Sequence, residues 1–279
     1  MAQKVLRPLT FGDLFDEAID LYRNNFMLLA GIAGLVYIPL AGLGALITWP
    51  LFQALGNLSG GSSALNPLQS LTLQLPFWGL FGVFVIIGGI LQIMSLAATT
   101  WAVSSCYLGS RPTIISSYKA VLSRIIPLIC AVLLTYLMLA VGFVLCVIPG
   151  IIVLILTAFV SEVLILENKG CVESIKRSFV LAKSSWGRIL LVGVISVLLM
   201  WVVSLLISLP FQVLTIGVAQ QTSLAMAMST IVRGITSAIV MPIIAVAFVL
   251  LYYDVRVRLE GFDVEMLAAS LGTQQPGIT

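Results

Sequence analysis

"IIPLICAVLLTYLMLAVGFVLCVIPGIIVLILTAFVS" fills Ile125–Ser161 without one Asp, Glu, Lys or Arg. A transmembrane helix needs about 20 apolar residues at 1.5 Å each, so this run is long enough for nearly two crossings. Near its middle stands Pro149-Gly150, a strong turn signal. The stretch therefore predicts a hairpin of two helices, 125–148 and 151–166. The second is near the short limit for a span, and a re-entrant pair is the alternative reading.

The rest of the chain follows the same pattern. Charge-free runs cover Asn24–Ser110, Ile189–Val232 and Gly234–Tyr253. They predict further spans at 26–49, 77–101, 189–209 and 234–253, six in all, with the Gly-, Ser-, Asn- and Pro-rich segment 50–75 as a loop. Of the 279 residues, 60% are hydrophobic and only 9% charged. Soluble domains carry about 25% charged residues, so this supply cannot cover a wetted surface. The fold class expected is an all-α integral membrane protein, one polytopic domain over 1–279 built as three hairpins.

Basic residues set the expected orientation. Lys4, Arg7 and Arg23 precede the first span, and Arg111, Lys119 and Arg124 separate the second and third. Lys169, Lys176, Arg177, Lys183 and Arg188 separate the fourth and fifth, and Arg256 and Arg258 follow the sixth. Only Arg233 falls on the other side. The excess of positive charge marks the cytoplasmic face, with both termini inside a plasma or inner membrane. Four acidic residues interrupt the first 26 positions, so that segment does not read as a cleavable signal.

Short helices are expected on this face at 10–25, 113–123 and 171–187. In the first, Phe11, Leu14, Phe15, Ala18, Leu21 and Tyr22 share one side, with Asp13, Asp16, Glu17 and Asp20 mostly opposite. Thr10 with Asp13 forms a capping-box pattern. Each segment reads as an amphipathic helix at the interface leading into a hairpin of spans. After the last span, "LLYYDVRVRLEGFD" places Asp254 with Arg258, and Arg256 with Glu260, at i,i+4 spacing, so the sixth helix should run on past the bilayer into the tail 254–279. Gly261 suits a helix stop, Asp263 a cap for a short helix through Leu267, and Tyr252-Tyr253 an interfacial aromatic belt. The charges here read first as a topology anchor and second as a ligand site.

Four stretches, "LTFGDLFDEAIDLYRNNF", the "PGI" of Pro149–Ile151, "SEVLILENKGCVESIKRSFVLAKSSWGR" and "LLYYDVRVRLEGFD", resemble a bacterial family labelled as the membrane domain of glycerophosphoryl diester phosphodiesterase. The resemblance extends over nearly the whole chain. It implies a stand-alone membrane domain. The catalytic part of that label depends on histidines, and this chain has none.

Lack of histidine also removes the usual general base, zinc ligand and nucleophile partner. No cofactor or metal is implied, no enzyme activity is expected, and no nucleic-acid patch is present. Cys106, Cys130, Cys146 and Cys171 show no metal-binding spacing and read as buried or inert thiols.

Glu162 and Arg233 are charges that approach the bilayer, which makes them candidates for an intramembrane polar site. Headgroup-level placement is the plainer reading of both. Gln92, with Ser95 and Thr99, and Gln212, with Ser204 and Ser208, form polar stripes that read as interhelical hydrogen-bonding groups before they read as a solute path. Gly31/Gly34, Gly42/Gly44, Gly79/Gly82 and Gly88/Gly89 read as close helix contacts. Arg177, Arg188, Asp254, Arg256 and Arg258 are expected to form a charged cytoplasmic interface. The partners implied are membrane lipid and a membrane or cytoplasmic protein. The favoured function is a non-enzymatic scaffold or accessory subunit, with a small-solute or lipid transporter as the alternative. Nothing in the sequence sets an oligomeric state.

Overall fold

The computed structural model describes residues 10–59, 67–217 and 223–261. Among these the secondary structure is helical throughout: α1 (Phe11–Asn24), α2 (Phe26–Ser59), α3 (Pro67–Tyr107), α4 (Ile114–Leu122), α5 (Ile125–Leu145), α6 (Val147–Leu156), α7 (Val160–Leu166), α8 (Cys171–Ser184), α9 (Trp186–Gly217) and α10 (Ser223–Glu260). Six stretches are long and apolar enough to cross a membrane, so the protein is an all-α, multi-pass membrane protein. The cap expected at Asp263 lies outside the described residues.

Local chemistry explains most of the boundaries. Thr10 and Asp13 close the expected capping box on α1, and Thr113 with Ser116 closes a second on α4. Gly261 ends α10 in a left-handed conformation at φ 62°, which costs Gly little. The Asp254–Arg258 and Arg256–Glu260 pairs form as the i,i+4 spacing predicts.

Several expectations need correction. Residues 50–59 and 67–75 are helical where a loop was expected, because α2 and α3 continue beyond their apolar windows. The turn between the third and fourth spans falls at Cys146, not at Pro149-Gly150. Cys146 is extended, and Pro149 sits in the first turn of α6, where a missing N–H costs nothing. Gly150 serves packing instead: a Cβ there would lie 2.5 Å from the Phe143 ring, and one at Gly142 would lie 3.1 Å from the Gly150 backbone. These two glycines let α5 and α6 close as a hairpin.

The fourth span is also interrupted over residues 157–159, a break the sequence did not announce. Ser178 of α8, fully buried, repairs it. Its hydroxyl donates to the Leu156 carbonyl at 2.7 Å and accepts from the Phe159 N–H at 3.2 Å. Two backbone groups freed by the break are thus satisfied by one side chain, as an apolar surrounding requires.

α10 is the central helix. It is buried over 61% of its most apolar window, against 17% for the spans of α3, α5 and α9. It packs along α2 in antiparallel sense, with Gly34 near Ala238, Ala41 at Gly234, and Gly44 near Thr230. Gly234 makes the tightest of these approaches and was not singled out in the sequence. Gly31, Gly44 and Gly88 do face neighbours, whereas Gly42, Gly79, Gly82 and Gly89 meet nothing within 4 Å. Tyr252 and Tyr253 are buried rather than belted at an interface, because α10 is enclosed on several sides.

Most of the packed core lies toward the end that carries the basic residues. Leu14, Leu29, Val103, Val121, Phe159, Leu181, Leu250 and Val255 join there in one cluster. Toward the other end Leu46, Leu80, Ile86, Val144 and Trp201 stay exposed, the surface that lipid tails cover. Replacing Ser178 with Ala should leave the Leu156 carbonyl and Phe159 N–H unpaired and cost about 1–3 kcal/mol. Thermal unfolding of the variant in lipid nanodiscs measures that loss.

Candidate functional site: a charged hub and an arginine-lined cavity

Two constructions stand at the charged end of the bundle. The first is a hub around Glu167, in the connector from α7 to α8. Its carboxylate accepts from the Tyr252 hydroxyl at 2.8 Å and from Arg177 Nε at 3.2 and 3.3 Å, and pairs with Lys169 Nζ at 3.0 Å. Arg256 Nε stands 3.9 Å away and is held by Glu260 at 3.1 Å. Arg177 also pairs with Glu260. Asn168 takes a left-handed conformation at φ 55°, which Asn tolerates, and its carbonyl accepts from Arg124 at 3.0 Å. One short connector thereby collects groups from α8, from α10 and from the junction of α4 with α5.

A second cluster lies beside it on α10. The side chain of Asp254 is fully buried and accepts from Arg258 at 3.0 and 3.1 Å and from Arg188 at 2.9 Å. The Arg188 guanidinium lies 4.7 Å from the centre of the Phe11 ring. The start of α1, the start of α9 and the end of α10 are joined in this way. The five residues expected at a charged interface thus fall in two clusters, Arg177 and Arg256 pairing with Glu167 and Glu260, and Arg188 and Arg258 with Asp254.

Tyrosine hydroxyls and buried polar side chains extend these ties inward. Tyr22 of α1 donates to the Ile239 carbonyl of α10 at 2.7 Å, three residues before Pro242, whose ring loosens the helix ladder. Burial pushes the Tyr22 phenol up to about 12, so it remains a donor. Tyr118 of α4 donates to the Ile32 carbonyl at 2.7 Å, and Ser104 pairs with Tyr253 at 2.6 Å.

The remaining candidates are dispersed. Ser95 and Thr99 are buried on α3, with Thr99 bonded to the Ser95 carbonyl at 2.8 Å, but Gln92 is exposed. Gln212 is exposed and donates to Ser208 at 3.2 Å. Arg233 is exposed, ten residues inside α10 rather than at its start. Glu162 is buried on α7, and one of its carboxylate oxygens has no hydrogen-bond partner. These four stand on four different helices, α3, α7, α9 and α10.

The second construction is a cavity of about 640 Å³. Its wall comprises the elbow between α1 and α2, from Arg23 to Leu28, together with Cys106, Arg111 and Pro112 from the end of α3 and the following loop. Asn25 interrupts the helix there and turns its amide onto the Leu21 carbonyl at 3.0 Å. Phe26, Met27 and Leu28, the first turn of α2, line the same space. Two arginines and the start of one helix thus line one cavity.

Fold and site together define a polytopic membrane protein with an internally paired charged end. No protein family, curated protein or solved structure matches the chain.

The Glu167 hub gives a pH test. Burial opposes its charge, but Lys169, Tyr252, Arg177 and Arg256 outweigh that and hold the carboxyl below the usual carboxylate value. A depressed folded value stabilises the fold fully above the unfolded value, near 4.5, and the gain is lost as pH falls through the lower folded value. Melting temperature should therefore drop below about pH 4.5, and the slope should flatten in Glu167→Gln when both proteins are melted across a pH series.

Proposed function

We propose that the protein is a non-enzymatic scaffold or accessory subunit of the cell membrane that holds anionic phospholipid through its charged, cytoplasmic end. The cavity at Arg23 and Arg111 carries this reading. A phosphate ester offers several acceptor oxygens, and two arginine side chains lining one cavity are suited to receive them. Arginine near an anionic leaflet contributes about 1 kcal/mol.

A second cavity supports the same ligand chemistry. About 460 Å³ in volume, it is lined by Ile152, Ile155, Leu156 and Phe179, with Lys183 and Trp186 at its edge. Apolar walls beneath one cation and one indole match an acyl chain below a headgroup. On this reading α1, α4 and α8 lie as interfacial helices, and both cavities open near the headgroups.

Transport is the second reading, favoured by the unpaired carboxylate oxygen of Glu162 close to the break in the fourth span. Interrupted helices line substrate sites in many transporters. The two readings separate on Glu162→Gln, which keeps the shape and removes the charge. A scaffold retains its lipid and its melting temperature in this variant. Loss of solute flux in proteoliposomes by a folded Glu162→Gln protein would favour transport.

Lipid binding is measured by extracting the protein into native nanodiscs and quantifying retained lipids by mass spectrometry. Anionic phospholipid should be enriched over the surrounding membrane. Each of Arg23→Gln and Arg111→Gln should reduce that enrichment by about fivefold, the equivalent of 1 kcal/mol. Unchanged lipid in the double variant, or a protein at equal amount in place of lipid, would overturn the lipid reading.

A further inference from the structure

Two thiols expected to be inert meet at the charged end. Cys130 lies in the second turn of α5, and Cys171 opens α8. Their sulfurs are 2.9 Å apart, with the Cys171 thiol donating, although the two residues are 41 positions apart in sequence. Neither is deeply buried: Cys130 is exposed and Cys171 partly so. We propose that Cys130 and Cys171 form a redox-modification site, a dithiol that a low-molecular-weight disulfide oxidises to an intrachain bond between α5 and α8.

Geometry carries the assignment. A disulfide bond is about 2.05 Å long, so closure requires the sulfurs to move together by less than one ångström. α5 and α8 are packed neighbours, which leaves only side-chain rotation for the final approach. Cys106 and Cys146 provide a contrast within the same chain. Cys106 borders the arginine cavity, and Cys146 lies at the turn between α5 and α6 at the opposite end of α5 from Cys130.

Exposure sets the order of events. The Cys130 thiolate attacks one sulfur of the small disulfide, forms a mixed disulfide and expels one small thiolate. Cys171 then loses its proton and attacks the Cys130 sulfur, expelling the second small thiolate. Two protein thiols lose two electrons, the small disulfide gains them, and the two thiol protons end on the two released thiols. Burial, and then the neighbouring Cys130, pushes the Cys171 thiol up to about 11, which fits its role as the second, resolving sulfur.

The bond would close a loop that contains α6, α7 and Glu167. Cys171 directly follows the connector that carries Glu167, so oxidation fastens that connector to α5. At a cytoplasmic face such bonds are transient and sense redox state.

The test uses the full chain in lipid nanodiscs, equilibrated across ratios of reduced to oxidised glutathione, alkylated with a maleimide and mapped by peptide mass spectrometry. The expected result is a linked Cys130–Cys171 peptide that rises with the oxidised fraction while Cys106 and Cys146 remain alkylated. Dithiothreitol should return both thiols to the alkylated form. Cys130→Ser should abolish the linked peptide, and Cys171→Ser should leave Cys130 as a stable mixed disulfide. Free thiols, or mixed disulfides at both positions, in the wild-type protein under fully oxidising conditions would overturn the proposal. So would linkage of either residue to Cys106 or Cys146.

Discussion

The carboxylate of Glu167 is the point on which the charged end depends. It is the acceptor at which α8, α10 and the connector itself meet, through Arg177, Tyr252 and Lys169. A carboxylate enclosed this far is costly unless its oxygens are occupied, and here both are. Its partners are constrained in turn. Tyr252 is fully buried and lies against Phe159 at 5.9 Å, in the segment that links the two halves of the fourth span. The hub therefore transmits the position of α10 to the interrupted span through one ring contact and one hydrogen bond.

This arrangement accounts for the uneven packing of the bundle. In lipid, apolar surface gains little by leaving its surroundings, so helix association rests on close packing and polar ties. The polar ties are concentrated at one end: Glu167, Asp254, Tyr22, Tyr118 and Ser104 each join separate helices there. Small residues supply the other contribution along α2 and α10, where Gly34, Ala41 and Gly234 bring the backbones together. Away from these features, α5 and α9 present Leu137, Val141, Val197 and Trp201 outward.

How far the sequence could be read follows from the range of each interaction. Spans were legible because hydropathy is additive along the chain, and the i,i+4 pairs on α10 because both partners lie on one helix. The cap on α1 was legible for the same reason. Signals that needed a distant partner were not. Nothing within 157–159 marks the break, since its repair comes from Ser178 on another helix. Pro149-Gly150 looked like a turn, but the turn moved to Cys146 once Gly142 and Gly150 could pack together. Arg23 and Arg111 each appeared only as orientation signals. Their shared cavity arises when the α1–α2 elbow meets the end of α3. The thiol pair likewise needed α5 beside α8.

Charge placement finally bears on what kind of protein this is. Arg177, Arg188, Asp254, Arg256 and Arg258 are drawn into contacts among themselves and with Glu167 and Glu260. Such a network ties α8, α9, α10 and the Glu167 connector together at the charged end. Arg23 and Arg111 line a separate cavity at the α1–α2 elbow, and the Arg188–Phe11 contact ties α1 to the network. Under the proposed function, this frame stands beside a cavity lined by two arginines, where an anionic group from the membrane plane would be received. Parting α10 from the Glu167 connector, or from α9 at Asp254, would expose an enclosed carboxylate, a cost that the proposed lipid-holding role avoids.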